Sequence, residues 1–276
     1  NESNNSWGKS WEWTAILFVP AEPDGVGSHP TAQPAGEDRP LPAPRPVAAA
    51  TRPQSLAAAG PIYVPASAHA SGVNGASWRT DLEVHNPGST AVTFGVALLK
   101  QGTDNSGTPE TRSFSLGPQQ SVRYVDVLSS LFGFTGAASL RLTSEPGPIL
   151  VNSRTYNLIG ANSVGLPVGA SFGQFVPGIS VSDSIGYGEE GRIIQLTHRD
   201  ASTLSDFRTN VGFVNTTALP IDLRVDLLDT AGGLVGTIQD ARTHLRPFEF
   251  LQLNGIFGAF TGWLPDGVVV LRTTTP

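Results

Sequence analysis

Short runs in which apolar residues alternate with polar or small ones recur through residues 61–276. In residues 92–98 an apolar side chain stands at every second position, which places these side chains on one face of a β-strand. We predict further strands near residues 111–116, 120–126, 137–143 and 149–156. No run of ten or more residues shows a period of 3.6, so we expect few helices. The pattern predicts an all-β fold.

One short helix is predicted between two of these strands. DVLSSLFG (126–133) has an aspartate, Asp126, in the N-cap position and a glycine, Gly133, where the helix would stop. The preceding segment QGTDNSGTPE (101–110) is rich in the residues that form turns, and we interpret it as a hairpin loop.

An internal repeat divides the chain. WRTDLEVHN (78–86) matches FRTNVGFVN (207–215) at an offset of 129 positions, from 78 to 207. The same offset relates FGVALL (94–99) to LRVDLL (223–228) and LGP (116–118) to LRP (245–247). Later matches drift by a few positions and pair LFGFTG (131–136) with FGAFTG (257–262), and SLRLT (139–143) with VLRTT (270–274). We predict two copies of one antiparallel β-sandwich, residues 61–178 and 179–276.

The repeat makes an internal prediction about four residues. Trp78 and Phe207 should begin equivalent strands and lie in the two cores, and Arg79 and Arg208 should face outward.

The first copy also carries a series of motifs in a fixed order. They are WRTDL, NPG, LGP, DVLSSLFG, LRL, SRTYN and FGQFVPG. In this order they resemble a repeat of uncharacterised secreted bacterial proteins with tandem Ig-like sandwiches. The resemblance covers about residues 61–276 and implies two Ig-like domains and export. It transfers no catalytic residue.

A strand-like stretch stands apart from the repeat. WTAILFVPA (13–21) has no strand near it in sequence, and residues 21–60 that follow hold eight prolines and ten alanines. We predict an N-terminal strand segment (1–20) and a Pro/Ala-rich linker (21–60). The strand is apolar at both sets of alternating positions, so we expect burial on both sides.

The second copy stops earlier than the first. After Leu142 the first copy continues through ILVNSRTYN (149–157) and SFGQFVPG (171–178), whereas only four residues follow Arg272. We therefore expect the second copy to lack its final strands and to present an open sheet edge. The N-terminal LFVPA (17–21) shares an aromatic-Val-Pro-small ending with QFVPG (174–178), which closes the first copy.

These observations predict that residues 13–19 complete the second copy, within or beside the sheet that contains residues 267–273. We expect another chain to donate the strand, as in surface filaments built by donor-strand complementation. Two alternatives stay open: the strand pairs with the edge of the first copy, or it closes the second copy of its own chain. The predicted assembly interface comprises Trp11, Trp13, Ala15, Ile16, Leu17, Phe18, Val19, Val268, Val270 and Leu271.

Composition excludes several classes of partner and chemistry. A net charge of −6, with two lysines and no arginine cluster, argues against nucleic acid, which requires a basic face. No apolar stretch approaches the 18 residues of a membrane span. Cysteine is absent, so disulfides and thiolate sites are excluded. The chain also lacks methionine and begins at Asn1, from which we expect a processed, exported protein at the cell surface.

Catalytic patterns are weak throughout the sequence. GASFG (169–173) fits G-x-S-x-G, but it runs into a strand rather than a helix, so we interpret Ser171 as a strand serine. The five histidines are scattered, and His85 has Val214 as its counterpart in the repeat. We predict neither an enzyme nor a cofactor site.

Acidic loops are the remaining candidates for chemistry. Asp200 with Asp206, and Asp104 with Asn105, could each offer oxygen ligands to calcium. Neither loop has the ligand density of a dedicated calcium site, and we interpret both as solvated turns. The pair Glu189-Glu190 is interpreted in the same way, because adjacent residues do not face each other across a cleft.

The predicted function is that of a structural subunit of an extracellular filament, built from copies of this chain joined head to tail. The alternative is a monomeric adhesin-like or glycan-binding module on a Pro-rich stalk. Three tryptophans within the first thirteen residues (Trp7, Trp11 and Trp13) would be its sugar platforms.

Overall fold

The computed structural model describes residues 11–18, 60–72, 76–158, 169–199 and 208–276, and for residues 11–18 and 208 it describes the backbone alone. The described residues are mostly strand, with one short α-helix, which confirms the all-β prediction. No helix among the described residues is long and apolar enough to cross a membrane.

Seventeen strands are described in chain order. The N-terminal strand is β1 (Trp11–Phe18). The first half contains β2 (Ile62–Ser71), β3 (Ser77–His85), β4 (Val92–Lys100), β5 (Thr111–Leu116), β6 (Ser121–Tyr124), helix α1 (Val127–Phe132), β7 (Gly136–Glu145), β8 (Leu150–Leu158), β9 (Ser171–Pro177) and β10 (Ile179–Ser180), which pairs with β2. The second half contains β11 (Gly191–Arg199), β12 (Arg208–Asn215), β13 (Ile221–Leu228), β14 (Leu234–Ile238), β15 (His244–Leu245), β16 (Phe250–Leu253) and β17 (Trp263–Thr273).

Each half has two packed layers. In the first half the strand orders are β5-β4-β7-β2 and β6-β3-β8-β9, and a short pairing of β2 with β3 joins the two layers. In the second half β13 lies between β17 and β14, β17 also pairs with β11, and the other layer is β16-β12-β1. Apolar side chains fill the space between the layers because alternate positions of each strand point inward. Examples are Leu82 and Leu140 in the first half, and Phe213 and Leu271 in the second.

The strand pairings of the two halves correspond at the offset of 129. Leu142 of β7 pairs with Val96 and Ile62, and Leu271 of β17 pairs with Val225 and Gly191. The sequence match of SLRLT with VLRTT was therefore two positions out of register. A shift of two positions keeps every side chain on the same face of a strand, so the letters alone could not reveal the error.

A buried asparagine closes the same turn in each half. Asn86 donates through Nδ2 to the carbonyl oxygens of Thr90 and Gly117, and its Oδ1 accepts from the Gly88 amide. In the second half, Asn215 donates to the carbonyls of Leu219 and Arg246 and accepts from the Thr217 amide. Every partner stands 129 positions from its counterpart. The repeated sequence thus builds the same hydrogen-bond network twice.

The predicted helix has the expected bounds, but Asp126 does not cap it in the expected way. Asp126 precedes α1 with φ of 50°, and its side chain makes no capping hydrogen bond. Its carboxylate instead contacts His69 Nδ1 at 2.8 Å and Arg79 Nε at 3.2 Å. Gly133 ends the helix in the left-handed conformation that favours glycine, as predicted.

The predicted equivalence of Trp78 with Phe207, and of Arg79 with Arg208, is described in the first half alone and stays a prediction. Trp78 is buried, and Arg79 is half-buried in its ion pair with Asp126. Phe207 and the side chain of Arg208 lie outside the described residues.

Candidate assembly interface

The N-terminal strand lies along one edge of β12. The two strands run parallel, in a register that begins with Trp11 opposite Arg208 and ends with Phe18 opposite Asn215. On its other edge β12 pairs antiparallel with β16. Strand β12 is therefore a central strand only because β1 is beside it.

The first half has a strand in the same position. There β3, the counterpart of β12, pairs with β6 on one side and with β8 on the other. Strand β8 runs from Leu150 to Leu158 and lies antiparallel to β3, whereas β1 is parallel to β12. Strand β1 thus takes the place in the second half that β8 takes in the first, with its direction reversed.

The layer that holds β1 differs from the predicted one. We predicted that the N-terminal strand pairs within or beside the sheet that contains residues 267–273. These residues lie in β17. Strand β17 is flanked by β11 and β13, so Val270 and Leu271 already have main-chain neighbours on both sides. Val268 pairs with Leu228 on one side and lies at an irregularity in the pairing with β11 on the other. Because β17 has no open edge, these three residues do not form the edge that receives the strand.

The predicted donor residues lie partly within the described chain. The backbone of Trp11, Trp13, Ala15, Ile16, Leu17 and Phe18 is in β1, and Val19 lies outside the described residues. In the structure β1 and β12 belong to the same chain, which is the closure that was left open above as an alternative. Donation of the strand by another chain stays a prediction.

One face of β12 belongs to the core of the second half. Val211 and Phe213 are fully buried there, in a cluster that includes Leu223, Leu253 and Phe257. Burial of a valine and a phenylalanine side chain contributes about 1.5–3 kcal/mol each. This face holds β12 against the β13–β17 layer.

The other face of β12 packs against the first half. Val214 and Phe250 join a buried cluster with Tyr63, Ala66 and Leu99, which come from β2 and β4. We call this cluster the junction. The sequence predicted neither the junction nor its residues.

Polar contacts tie the two halves together around the junction. The buried side chain of Asn105 donates to the carbonyl of Phe248 at 3.0 Å, and its backbone amide donates to the carbonyl of Pro247. The guanidinium of Arg141 lies 4.8 Å from the ring centre of Phe248. These contacts fix the 246–250 turn, and with it β16, against the loop after β4. The Asp104-Asn105 loop, considered above for calcium, is thus an inter-half contact.

A comparison of equivalent positions shows how the sequence builds the junction. His85 and Ser121 of the first half are joined by a hydrogen bond of 2.9 Å at the surface. Their counterparts at the offset of 129 are Val214 and Phe250, which are both fully buried. A surface pair in one copy has become a core pair in the other. This change of polarity is the signal from which the junction could have been predicted.

The corresponding face of the first half is charged. Asp81 of β3 accepts hydrogen bonds from Arg123 at 2.5 Å, from the Tyr156 hydroxyl at 3.1 Å and from the Asp126 amide at 2.9 Å. Burial and the nearby carboxylate of Asp81 raise the pKa of Tyr156, so this hydroxyl stays protonated and donates. The polar groups on this face find their hydrogen-bond partners within the first half, so the face needs no apolar cover.

The other candidate residues make structural contacts. Ser171 lies in β9 and accepts a hydrogen bond from Arg154 at 3.0 Å. Glu189 accepts from the Gly186 amide, and Glu190 pairs with Arg192 and Arg272. Asp200 and Asp206 lie outside the described residues, and no group of three or more potential metal ligands occurs within the described ones.

Comparison with known proteins does not identify a family. No family model matches the chain, and no curated protein matches it. The crystal structure of Thermotoga maritima 1070 is similar at a TM-score of 0.35 and 15% identity, over 47% of this chain and 100% of that one. The E. coli chaperone DraB gives a TM-score of 0.14 at 17% identity, over 68% of this chain and 82% of that one. A chaperone–tip adhesin complex of CFA/I fimbriae biogenesis gives 0.13 at 12%, over 70% and 85%. At these scores the similarities carry no argument about function.

Proposed function

We propose that this protein is a structural subunit that assembles head to tail, with the N-terminal strand of one copy inserted beside β12 of the next. The observation that carries the proposal is the position of β1, which pairs with β12 along its whole described length, where β8 stands in the first half. The two halves are then tandem Ig-like domains, and the second is completed by a donated strand.

The segment after β1 has the reach that such an exchange requires. Residues 21–60 are rich in proline and alanine. A flexible coil of this length spans roughly 35 Å, and a fully extended polyproline II segment spans roughly 120 Å. A strand on such a connector can enter the second half of a neighbouring copy. Because the donated strand and the receiving edge are different surfaces, the contact does not close on itself and yields an open filament.

The setting that fits this function is extracellular. The resemblance of residues 61–276 to secreted tandem sandwiches supports an exported protein at the cell surface. Its partners are copies of itself.

Ala15 offers a direct test of assembly, because it stands opposite Gly212 in the middle of the β1–β12 register. Proline at position 15 restricts the backbone and removes a donor, whereas valine favours a strand. We expect negative-stain microscopy to show filaments for the parent chain and for Ala15→Val, and none for Ala15→Pro. A parent chain that stays monomeric at all concentrations would contradict the proposal.

A further inference from the structure

We infer that the receiving site for β1 has two walls, one from each half of the chain, and that it selects a strand that is apolar on both faces. The inference rests on the proposed function, since it describes the site into which the donated strand fits. The partner it specifies is the β1 segment of a second copy.

The first wall is the core of the second half. Val211 and Phe213 of β12 point into it and are fully buried. A strand beside β12 continues the same layer, so one of its faces meets this core.

The second wall is the first half. Val214 lies on the opposite face of β12 from Phe213, and it packs at the junction with Tyr63 and Leu99. Strand β2 contacts β12 and also contacts β1 directly. The first half therefore extends past β12 to the inserted strand.

Strands β8 and β1 occupy equivalent places in the two halves. Their sequences differ as expected if β8 is covered on one face and β1 on both. Strand β8 reads LVNSRTYNL; its Val151, Ser153 and Thr155 are buried, whereas on the other face Asn152 is exposed, Arg154 is half-buried and only Tyr156, whose hydroxyl binds Asp81, is buried. That alternation fits a layer with one buried face. Strand β1 reads WEWTAILF, with apolar residues at both sets of alternating positions in its second half. Such a sequence fits a site that is covered on both sides.

Adjacent residues of β4 provide a matched pair of variants. Leu98 points into the core of the first half, and Leu99 points into the junction, and both are essentially inaccessible to solvent. Leu98→Ala and Leu99→Ala delete the same atoms from the same strand. Only the second removes a side chain from the junction, through which β2, the strand that contacts β1, packs on β12.

Hydrogen exchange of the assembled full-length chain, followed by mass spectrometry, tests the inference. We expect Leu99→Ala to speed exchange of amides in residues 11–18 by at least about tenfold relative to the parent, because opening of this strand becomes easier. Leu98→Ala should change the same amides by less than about threefold while it speeds exchange in the first-half core. Val214→Ala, which removes less from the other side of the junction, should act like Leu99→Ala and more weakly.

The outcomes separate this inference from the proposed function. If residues 11–18 exchange freely in the parent chain, strand insertion itself is wrong. If they are protected in the parent, and Leu99→Ala affects them no more than Leu98→Ala does, insertion stands and the two-walled site is overturned.

Discussion

Deletion of residues 1–20 should destabilise the second half and leave the first half folded. Without β1, the edge of β12 between residues 208 and 215 loses its hydrogen-bonding partner. The core around Val211 and Phe213 also becomes more exposed to solvent on that side. Each lost hydrogen bond costs about 0.5–1.5 kcal/mol, offset in part by the entropy of the released strand. We expect a net loss of at least about 2 kcal/mol, or roughly 10 °C in the melting temperature of a unit of this size. The first half has β8 and β9 in place and should melt as before.

A synthetic peptide of residues 11–21 should restore the stability of the deleted chain, and a peptide of the same composition in scrambled order should not. Calorimetry measures both effects, and microscopy should show that the filaments are lost with the deletion. If the deleted chain keeps its assembly state and melts like the parent, β1 does not complete the second half.

Replacing the repeated asparagine should destabilise each half separately. Asn86 and Asn215 are fully buried, and each closes a turn through at least three side-chain hydrogen bonds. Alanine at either position leaves backbone groups without partners in the interior. We expect Asn86→Ala and Asn215→Ala to lower the free energy of unfolding by about 2–4 kcal/mol each.

Urea denaturation followed by hydrogen exchange can locate each effect. Asn86→Ala should act on the first half, and Asn215→Ala on the second. Asn152→Ala is the control, because Asn152 is exposed on β8 and should change stability by less than about 0.5 kcal/mol. Equal effects of Asn86→Ala on both halves would mean that they unfold as one unit.

Asn215 also begins an N-x-T triplet, the acceptor pattern for N-glycosylation. Its burial excludes glycosylation of this asparagine in the folded chain.

Local features of the fold were predictable from the sequence. Alternation of apolar residues located β4, and turn residues located the loop that follows it. The bounds of α1 followed from Asp126 and Gly133, although the Asp126 carboxylate contacts His69 and Arg79 instead of capping the helix. The contacts of the Asp126 carboxylate depend on which charged groups the fold brings near it, and the local sequence does not contain this information.

The place of β1 was only partly predictable. An isolated strand, apolar on both faces, indicated insertion beside the second half, but the sequence could not tell which of its layers has the open edge. That distinction depends on sheet order, which puts β17 between two strands and leaves β12 open until β1 is added. The junction was missed for a related reason. Its signal, His85 and Ser121 in one copy against Val214 and Phe250 in the other, stands in the sequence at the offset of 129, but only the fold shows that these positions face the other half.

Engineered disulfides test the central claim most directly, since the chain contains no cysteine of its own. Glu12 and Thr209 are register partners in β1 and β12, at the spacing of neighbouring strands that a disulfide can bridge. A chain that carries both Glu12→Cys and Thr209→Cys should form a ladder of covalent multimers on a non-reducing gel. Chains that carry one cysteine each should form a cross-linked pair when mixed. As a control, Glu12→Cys with Val268→Cys should form no specific bond, because Val268 lies in the other layer.

Formation of the ladder is the result expected if the strand passes from one copy to the next. A single monomeric band that migrates faster after oxidation would show that each chain closes its own second half, and would contradict head-to-tail donation. Absence of any disulfide between positions 12 and 209, under conditions in which both thiols are oxidisable, would contradict the pairing of β1 with β12 itself.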